Sequence, residues 1–407
     1  MSYPRVHRMS KEIPLPCTPL PYTGLRVLDI SQGIAGPYCA HILWQQGAEV
    51  IKVEPPAGDW IRFVGVKQDE HSALAIQFNA GKKALALDAR VQAGKKILFE
   101  LALQADVIVQ NFRPGAAQRM GIGYEALCAL KPDLVYVSIS GYGPDGPYAD
   151  APATDSVMQA DSGLMFTNQD AQGTPRRLGM LAADVITGLY ASQGAATALY
   201  QRLAHKSGTH VQVSLFEACA AFQGSCFIEQ AIAGERPFSA VSAPNAVFAT
   251  ADGNISILVL NDEQFGRLCA ALQRPEWLND PRFATNQLRM QNREALYADM
   301  IKQVAQYPTA YWDALLKEHD VLHAPVRDYH SVLSHPQSLH LEMVQQLEQA
   351  GVGRLPYIGL PTHPHHRPVK SAPRIGEDSI AILKQAGVTA AQIEQLITDG
   401  VVLQAKV

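Results

Sequence analysis

The sequence predicts an α/β protein built on a doubly wound parallel sheet, with a second, smaller α+β unit later in the chain. Short apolar runs alternate with longer amphipathic stretches, the rhythm of strands joined by crossover helices. The runs lack strict polar alternation, as strands covered on both faces do. The length of 407 residues exceeds what one core usually organises, so two domains are expected.

Leu25-Arg26-Val27-Leu28-Asp29-Ile30 opens the series as a buried strand, followed by Gly33, Gly36 and a helix over residues 37–46. Strands follow at 49–53 and 84–88. A helix over 92–104 then leads to strands at 106–110 and 134–139. A long apolar helix is expected over 182–203, a sixth strand at 211–215, and a helix near 216–232. The loop-like Gly234–Asn245 segment marks a boundary. Beyond it lie a strand at 255–260 after an Asp252-Gly253 turn and helices near 263–272, 292–306 and 309–319. Pro361 to Pro373 reads as a connector, and Thr389-Ala390-Ala391-Gln392 as a capping box for a last short helix. This gives an N-terminal extension over 1–23, a large domain over 24–233, a small one over 234–330 and a C-terminal part over 331–407.

Composition excludes several function classes. With 30 glycines and 26 prolines the chain is neither collagen-like nor broadly disordered. Its 34 basic and 38 acidic residues give a charge of −4, with no basic run to track a phosphate backbone, so nucleic acid is not an expected partner. Only 18% of residues are charged, which points to a large buried subunit interface. Cys17, Cys39, Cys128, Cys219, Cys226 and Cys269 are scattered without a C-x-x-C pair, so neither a disulfide framework nor a zinc ribbon is expected. The first 24 residues hold five prolines and no continuous apolar core, so neither a signal peptide nor a membrane anchor is read there, and a cytoplasmic location is expected.

Ligands of doubly wound sheets sit beyond the carboxyl ends of the strands. The first such end, S-Q-G-I-A-G, lacks the G-x-G-x-x-G spacing, so no nicotinamide dinucleotide is indicated. The Thr362-His363-Pro364-His365-His366 tract has prolines that prevent helical ligation and no nearby carboxylate or cysteine, so no metal site is expected. Arg113 follows a strand at the ligand edge and Arg119 lies a turn or two on. They suit a phosphate or carboxylate, or form an ordinary surface pair. Asp184, at the start of an apolar helix, reads either as a helix-capping acid or as a partly desolvated nucleophile or base. Asp155 and Asp161 are its rivals.

The order of motifs resembles the class III CoA-transferase family, the CaiB/BaiF-type enzymes. The stretches that carry the resemblance are L-R-V-L-D-I-S-Q-G-I-A-G-P from Leu25, G-A-E-V-I-K-V-E-P-P from Gly47, and F-N-A-G-K-K-A-L-A-L-D from Phe78. They continue with A-D-V-I-V-Q-N-F-R-P-G from Ala105, R-M-G-I-G-Y from Arg119, and S-G-Y-G-P-D-G-P-Y from Ser140. Q-A-D-S-G-L-M from Gln159 and D-P-R-F-A-T-N from Asp280 complete the set, so the likeness covers residues 24–402. By similarity the nucleophilic aspartate falls 21 residues after Gly163, on Asp184. The family's CoA contacts fall on Ile34 and Ala35, on Leu87, Asp88 and Arg90, on Asn111, Phe112 and Arg113, and on Arg119.

Two positions depart from the family pattern. Pro55 replaces a nucleotide-contacting arginine of some members, and Ala240–Asn245 stands where the formyl-CoA:oxalate members carry a glycine-rich loop, so oxalate is not the expected acceptor. The resemblance further implies a Rossmann-type large domain formed by both chain ends, an interlocked homodimer, and CoA transfer from an acyl-CoA donor to a free carboxylic acid. CoA is then substrate and product, with no metal or redox cofactor and no membrane partner. An α-methylacyl-CoA racemase is the alternative within the fold, but Thr154 occupies the position of its histidine. A non-catalytic CoA-binding protein is the alternative outside catalysis.

Overall fold

The structure, a computed structural model, describes residues 19–170, 172–234, 241–361 and 367–405. The chain forms two compact units, one of Met1–Gly224 with Met343–Val407, the other of Ser225–Glu342.

The sheet of the first unit contains β1 (Arg26–Asp29), β2 (Glu49–Glu54), β3 (Lys83–Leu87), β4 (Val107–Gln110), β5 (Val135–Ser140) and β6 (Thr209–Ser214). They are ordered β3-β2-β1-β4-β5-β6, all parallel, and Val402–Leu403 adds an antiparallel edge strand beside β3. Only this edge strand departs from the all-parallel expectation. It follows the capping-box helix Ala390–Thr398, and Val402 pairs with Leu87. Strand order runs outward in both directions from β1, so the crevice beyond the carboxyl ends of β1 and β4 is the topological switch point.

Two apolar layers cover the sheet. On one face α2 (Gln92–Gln104) contributes Ile97, Leu98 and Leu101 to a core with Leu28, Leu85 and Ile108. On the other, α1 (Ala35–Gln45) packs against α4 (Ala182–His205) over Val27, Val50, Val107 and Val137. Small side chains let these two helices approach closely. Cys39 and Ala40 of one meet Ala183, Ala191 and Ala195 of the other. A Cβ built on Gly188 would lie 2.9 Å from the Ala35 carbonyl oxygen, so glycine is what permits the contact.

Two readings from the sequence are corrected. The helix expected over 216–232 is two, Leu215–Phe222 and Gly224–Ala233. They are interrupted at Gln223, whose buried amide turns back to donate to the carbonyls of Cys219 (2.9 Å) and Ser162 (3.2 Å). The smaller unit extends beyond the 234 and 330 boundaries at both margins, because the chain re-enters the first unit only at the hairpin Val344–Gln349 with Gly353–Ile358.

That smaller unit holds an antiparallel three-stranded sheet of Asn245–Ala249, Asn254–Leu258 and Leu322–Pro325. Its core joins Phe248, Ile257, Phe265, Trp277 and Trp312. Arg289 is fully buried there, donating to the Ala243 and Phe283 carbonyls and to Asp262. The His363–His366 tract and Cys17 lie outside the described residues. Among those described, no helix is long and apolar enough to cross a membrane.

Candidate active site

A cavity of about 580 Å³ opens at the switch point of the first unit. Ile34, Ala35, Asn111, Phe112, Arg113 and Asp184 all line it, so the structure brings five of the expected contact residues to the expected nucleophile. Trp60, Val64, Leu74 and Leu181 form an apolar wall, and Gln32, Ser140, Thr154 and Asp155 add polar groups.

Asp184 lies in the first turn of α4, a helix whose N-cap, Leu181, makes no side-chain cap bond. Asp184 is therefore not the cap. Asp155, at the start of α3 (Asp155–Asp161), takes that role from a separate element: its Oδ1 accepts the N–H groups of Ala183 (2.8 Å) and Asp184 (3.3 Å). Gln159 steadies the arrangement, donating to Asp155 Oδ2 (2.7 Å) and to the Met180 carbonyl, while its own oxygen accepts from the Leu178 amide. Burial, and after it the negative charge of Asp155, push the Asp184 carboxyl up to about 7. A carboxylate held this way is a stronger nucleophile than an exposed one. Any reaction that converts it to an ester or anhydride also relieves its repulsion with Asp155.

The loops after β1 and β4 are tied together by Asn111. Its Oδ1 accepts the Gln32 amide (2.8 Å) and its Nδ2 donates to the Gln32 carbonyl (2.6 Å). Its side chain is thus committed to the protein backbone. Phe112 is fixed from below: its N–H donates to Gln110 Oε1 (2.7 Å), which leaves the Gln110 amide nitrogen to donate to Ser138 Oγ (2.8 Å). Ser138 Oγ also hydrogen-bonds His210 Nε2 (2.8 Å), a contact that the neutral imidazole can make. Burial lowers the His210 pKa and favours that state.

Arg113 is exposed and, among the described residues, has no ion pair; Arg119 is likewise exposed, its guanidinium folded over Gly115. Leu87, Asp88 and Arg90 do not line the cavity. They stand at the carboxyl end of β3, two strands from β1, where Arg90 and Asp88 form a two-bond pair (both 2.8 Å). That pair holds the Asp88 carboxyl down at about 2. Cys39, Cys219 and Cys269 are buried and burial raises each thiol, whereas Cys128 and Cys226 are half-buried. Sequence reasoning passed over Asp155 as a partner and Trp60 as a wall. The only signal for Trp60 was its position a few residues beyond the carboxyl end of β2.

Comparison with known proteins places the chain in a family. The model of CoA-transferase family III matches residues 22–379. An acetyl-CoA:oxalate CoA-transferase of Acetobacter aceti is 34% identical, over 90% of this chain and 95% of its own. The human succinyl-CoA:glutarate CoA-transferase is 32% identical, over 94% and 90%. A CaiB/BaiF family protein from Brucella suis superposes with a TM-score of 0.83 at 30% identity, covering 91% of this chain and all of the other. The chain belongs to CoA-transferase family III. It is a CoA-transferase.

Proposed function

We propose that the protein moves CoA from an acyl-CoA donor to a free carboxylic acid, with Asp184 as the nucleophile. The observation that carries this reading is a carboxyl raised to about 7, seated at the switch-point cavity beside loops that match the family's CoA contacts. The Asp184 anion attacks the donor thioester carbonyl and expels CoA thiolate, leaving a mixed anhydride. The thiolate attacks the aspartyl carbonyl and releases the donor acid, giving an aspartyl-CoA thioester. The acceptor carboxylate then attacks that thioester and expels CoA thiolate. Return of the thiolate to the acceptor's acyl carbon forms the new thioester and restores Asp184. Each step exchanges one acyl bond for another, so the scheme needs no metal or redox cofactor. Water must be kept out throughout.

Ile34, Ala35, Leu87, Asp88, Arg90, Asn111, Phe112, Arg113 and Arg119 are proposed to hold CoA along the carboxyl edge of the sheet. Succinyl-CoA with a dicarboxylic acid is the first pair to test, and oxalate joins the acceptors because the Acetobacter relative is named for it. An α-methylacyl-CoA racemase needs a second proton carrier, and Thr154 lines the cavity at the position of that enzyme's histidine. A screen of acyl-CoA donors against carboxylic acids, read by mass, tests the proposal. No CoA exchange with any pair, alongside measurable CoA binding, would favour a non-catalytic carrier.

A further inference from the structure

Behind the cavity lies a chain of charged side chains that the chemistry above does not use. Asp29, Lys52, Glu54, Asp59, Arg62 and Lys82 are all buried, none more than 4% exposed. Lys82 donates to Asp29 (2.7 Å), to the Pro37 carbonyl and to Asn79; Asp29 accepts from Ser31. Lys52 donates to the Ser31 carbonyl and to Asp59 Oδ2 (2.9 Å). Glu54 accepts from the Asp59 amide (2.8 Å) and binds Arg62 through two bonds, and Arg62 also donates to the Pro373 carbonyl. Three acids and three bases balance. A network of this kind adds little net stability over a well-packed apolar replacement, so stability alone does not account for it.

Asp59 offers another role through its geometry. Its Oδ1 accepts the Gly33 amide (3.1 Å) and the Ile61 amide (3.2 Å), and its Oδ2 accepts Gly33 (3.1 Å) and Lys52. The first bond fixes the loop that presents Ile34 and Ala35 to the cavity. The second caps the short helix Trp60–Phe63, which presents Trp60. The two lips also touch directly: Gly33 has φ +78°, and a Cβ on it would lie 2.4 Å from the Trp60 ring. We propose that Asp59, held by Lys52, is a positioning residue that sets both lips of the CoA site at once, which rests on the CoA-transferase reading above.

Two double variants isolate this role. Lys52→Met/Asp59→Asn and Lys52→Met/Asp59→Leu both remove the buried charge pair, the first at nearly the volume of aspartate and the second with a larger apolar side chain. Asparagine keeps an oxygen where Oδ1 stood, serving the Gly33 and Ile61 amides together, whereas leucine offers no acceptor. The probe is CoA itself, titrated by calorimetry, with amide exchange of the 31–36 segment measured without ligand. The asparagine variant should bind CoA within about threefold of wild type, and the leucine variant at least about tenfold more weakly, with faster exchange, at matched thermal stability. Equal CoA affinity in the two variants at matched stability overturns the proposal. If neither folds, Gly33→Ala tests the same two lips, because its methyl meets the Trp60 ring and its φ of +78° strains the loop while the charges stay in place: unchanged CoA affinity there also overturns it. Wild-type protein that binds no CoA defeats the CoA reading instead, while the ligand-free exchange difference still decides whether Asp59 sets the lips.

Discussion

Asp184 and Asp155 stand close enough that one charge alters the other, and three outcomes follow at the scale of single residues. Asp184→Asn removes the attacking anion, so transfer should fall by orders of magnitude. Its stability effect runs the other way. The folded pKa of about 7 lies above the unfolded value near 4, so the folded state holds the extra proton and wild-type stability declines as pH rises between the two. Thermal melts at pH 8 should therefore show Asp184→Asn at or above the wild-type Tm; a marked loss would indicate a structural role. For the same reason kcat/KM should climb with pH to a plateau above about 7. Asp155→Asn removes the second cause of the shift and should carry that limb to lower pH, and a limb that stays in place would show that the Asp155 charge does not act on Asp184. In the third outcome, Arg113→Ala weakens CoA binding by about 1–3 kcal/mol, equally for donors with different acyl groups. A loss that varies with the acyl group would place Arg113 at the acyl site.

At the scale of elements, the site depends on how closely α1 approaches α4, because Ile34 and Ala35 begin one helix and Asp184 begins the other. Gly188→Ala would set a methyl 2.9 Å from the Ala35 carbonyl oxygen and from the Tyr38 ring. The strain should cost about 1–3 kcal/mol in urea unfolding and lower turnover by opening the gap between nucleophile and loop. Unchanged turnover would show that the helices can part without moving the site. The helix starts explain what local pattern could and could not reveal. Thr389 caps its helix through the box its sequence spells, with Gln392 answering from the third position. α4 is capped by a residue 29 positions before Asp184, which no local pattern announces.

For the whole molecule, the return of the C-terminal segment to the first unit closes the sheet edge with Val402–Leu403 and supplies the Pro373 carbonyl to Arg62. The outer side of α4 leaves Tyr200 and Leu203 more than 70% exposed. Together with the low charged fraction, these apolar side chains favour the homodimer that the family resemblance implies. Light scattering at micromolar concentration should give twice the mass of one chain, and a monomer would remove the interlocked arrangement.

The six parallel strands, their order along the chain and the candidacy of Asp184 were legible in the sequence because each rests on local signals: apolar runs of strand length, helical periodicity, and family motifs whose spacing lands on Asp184. The Gln92–Gln104 helix matches its expected bounds to the residue. What the sequence left open were relations between distant residues. Whether Asp184 was a cap or a free carboxyl turned on Asp155, and the tie between the Asn111 side chain and the Gln32 backbone turned on the neighbouring strand. The break at Gln223 likewise turned on the Ser162 carbonyl. Periodicity reports which face of an element is buried, but a hydrogen bond across 29 or 79 positions exists only once the sheet has brought its ends together.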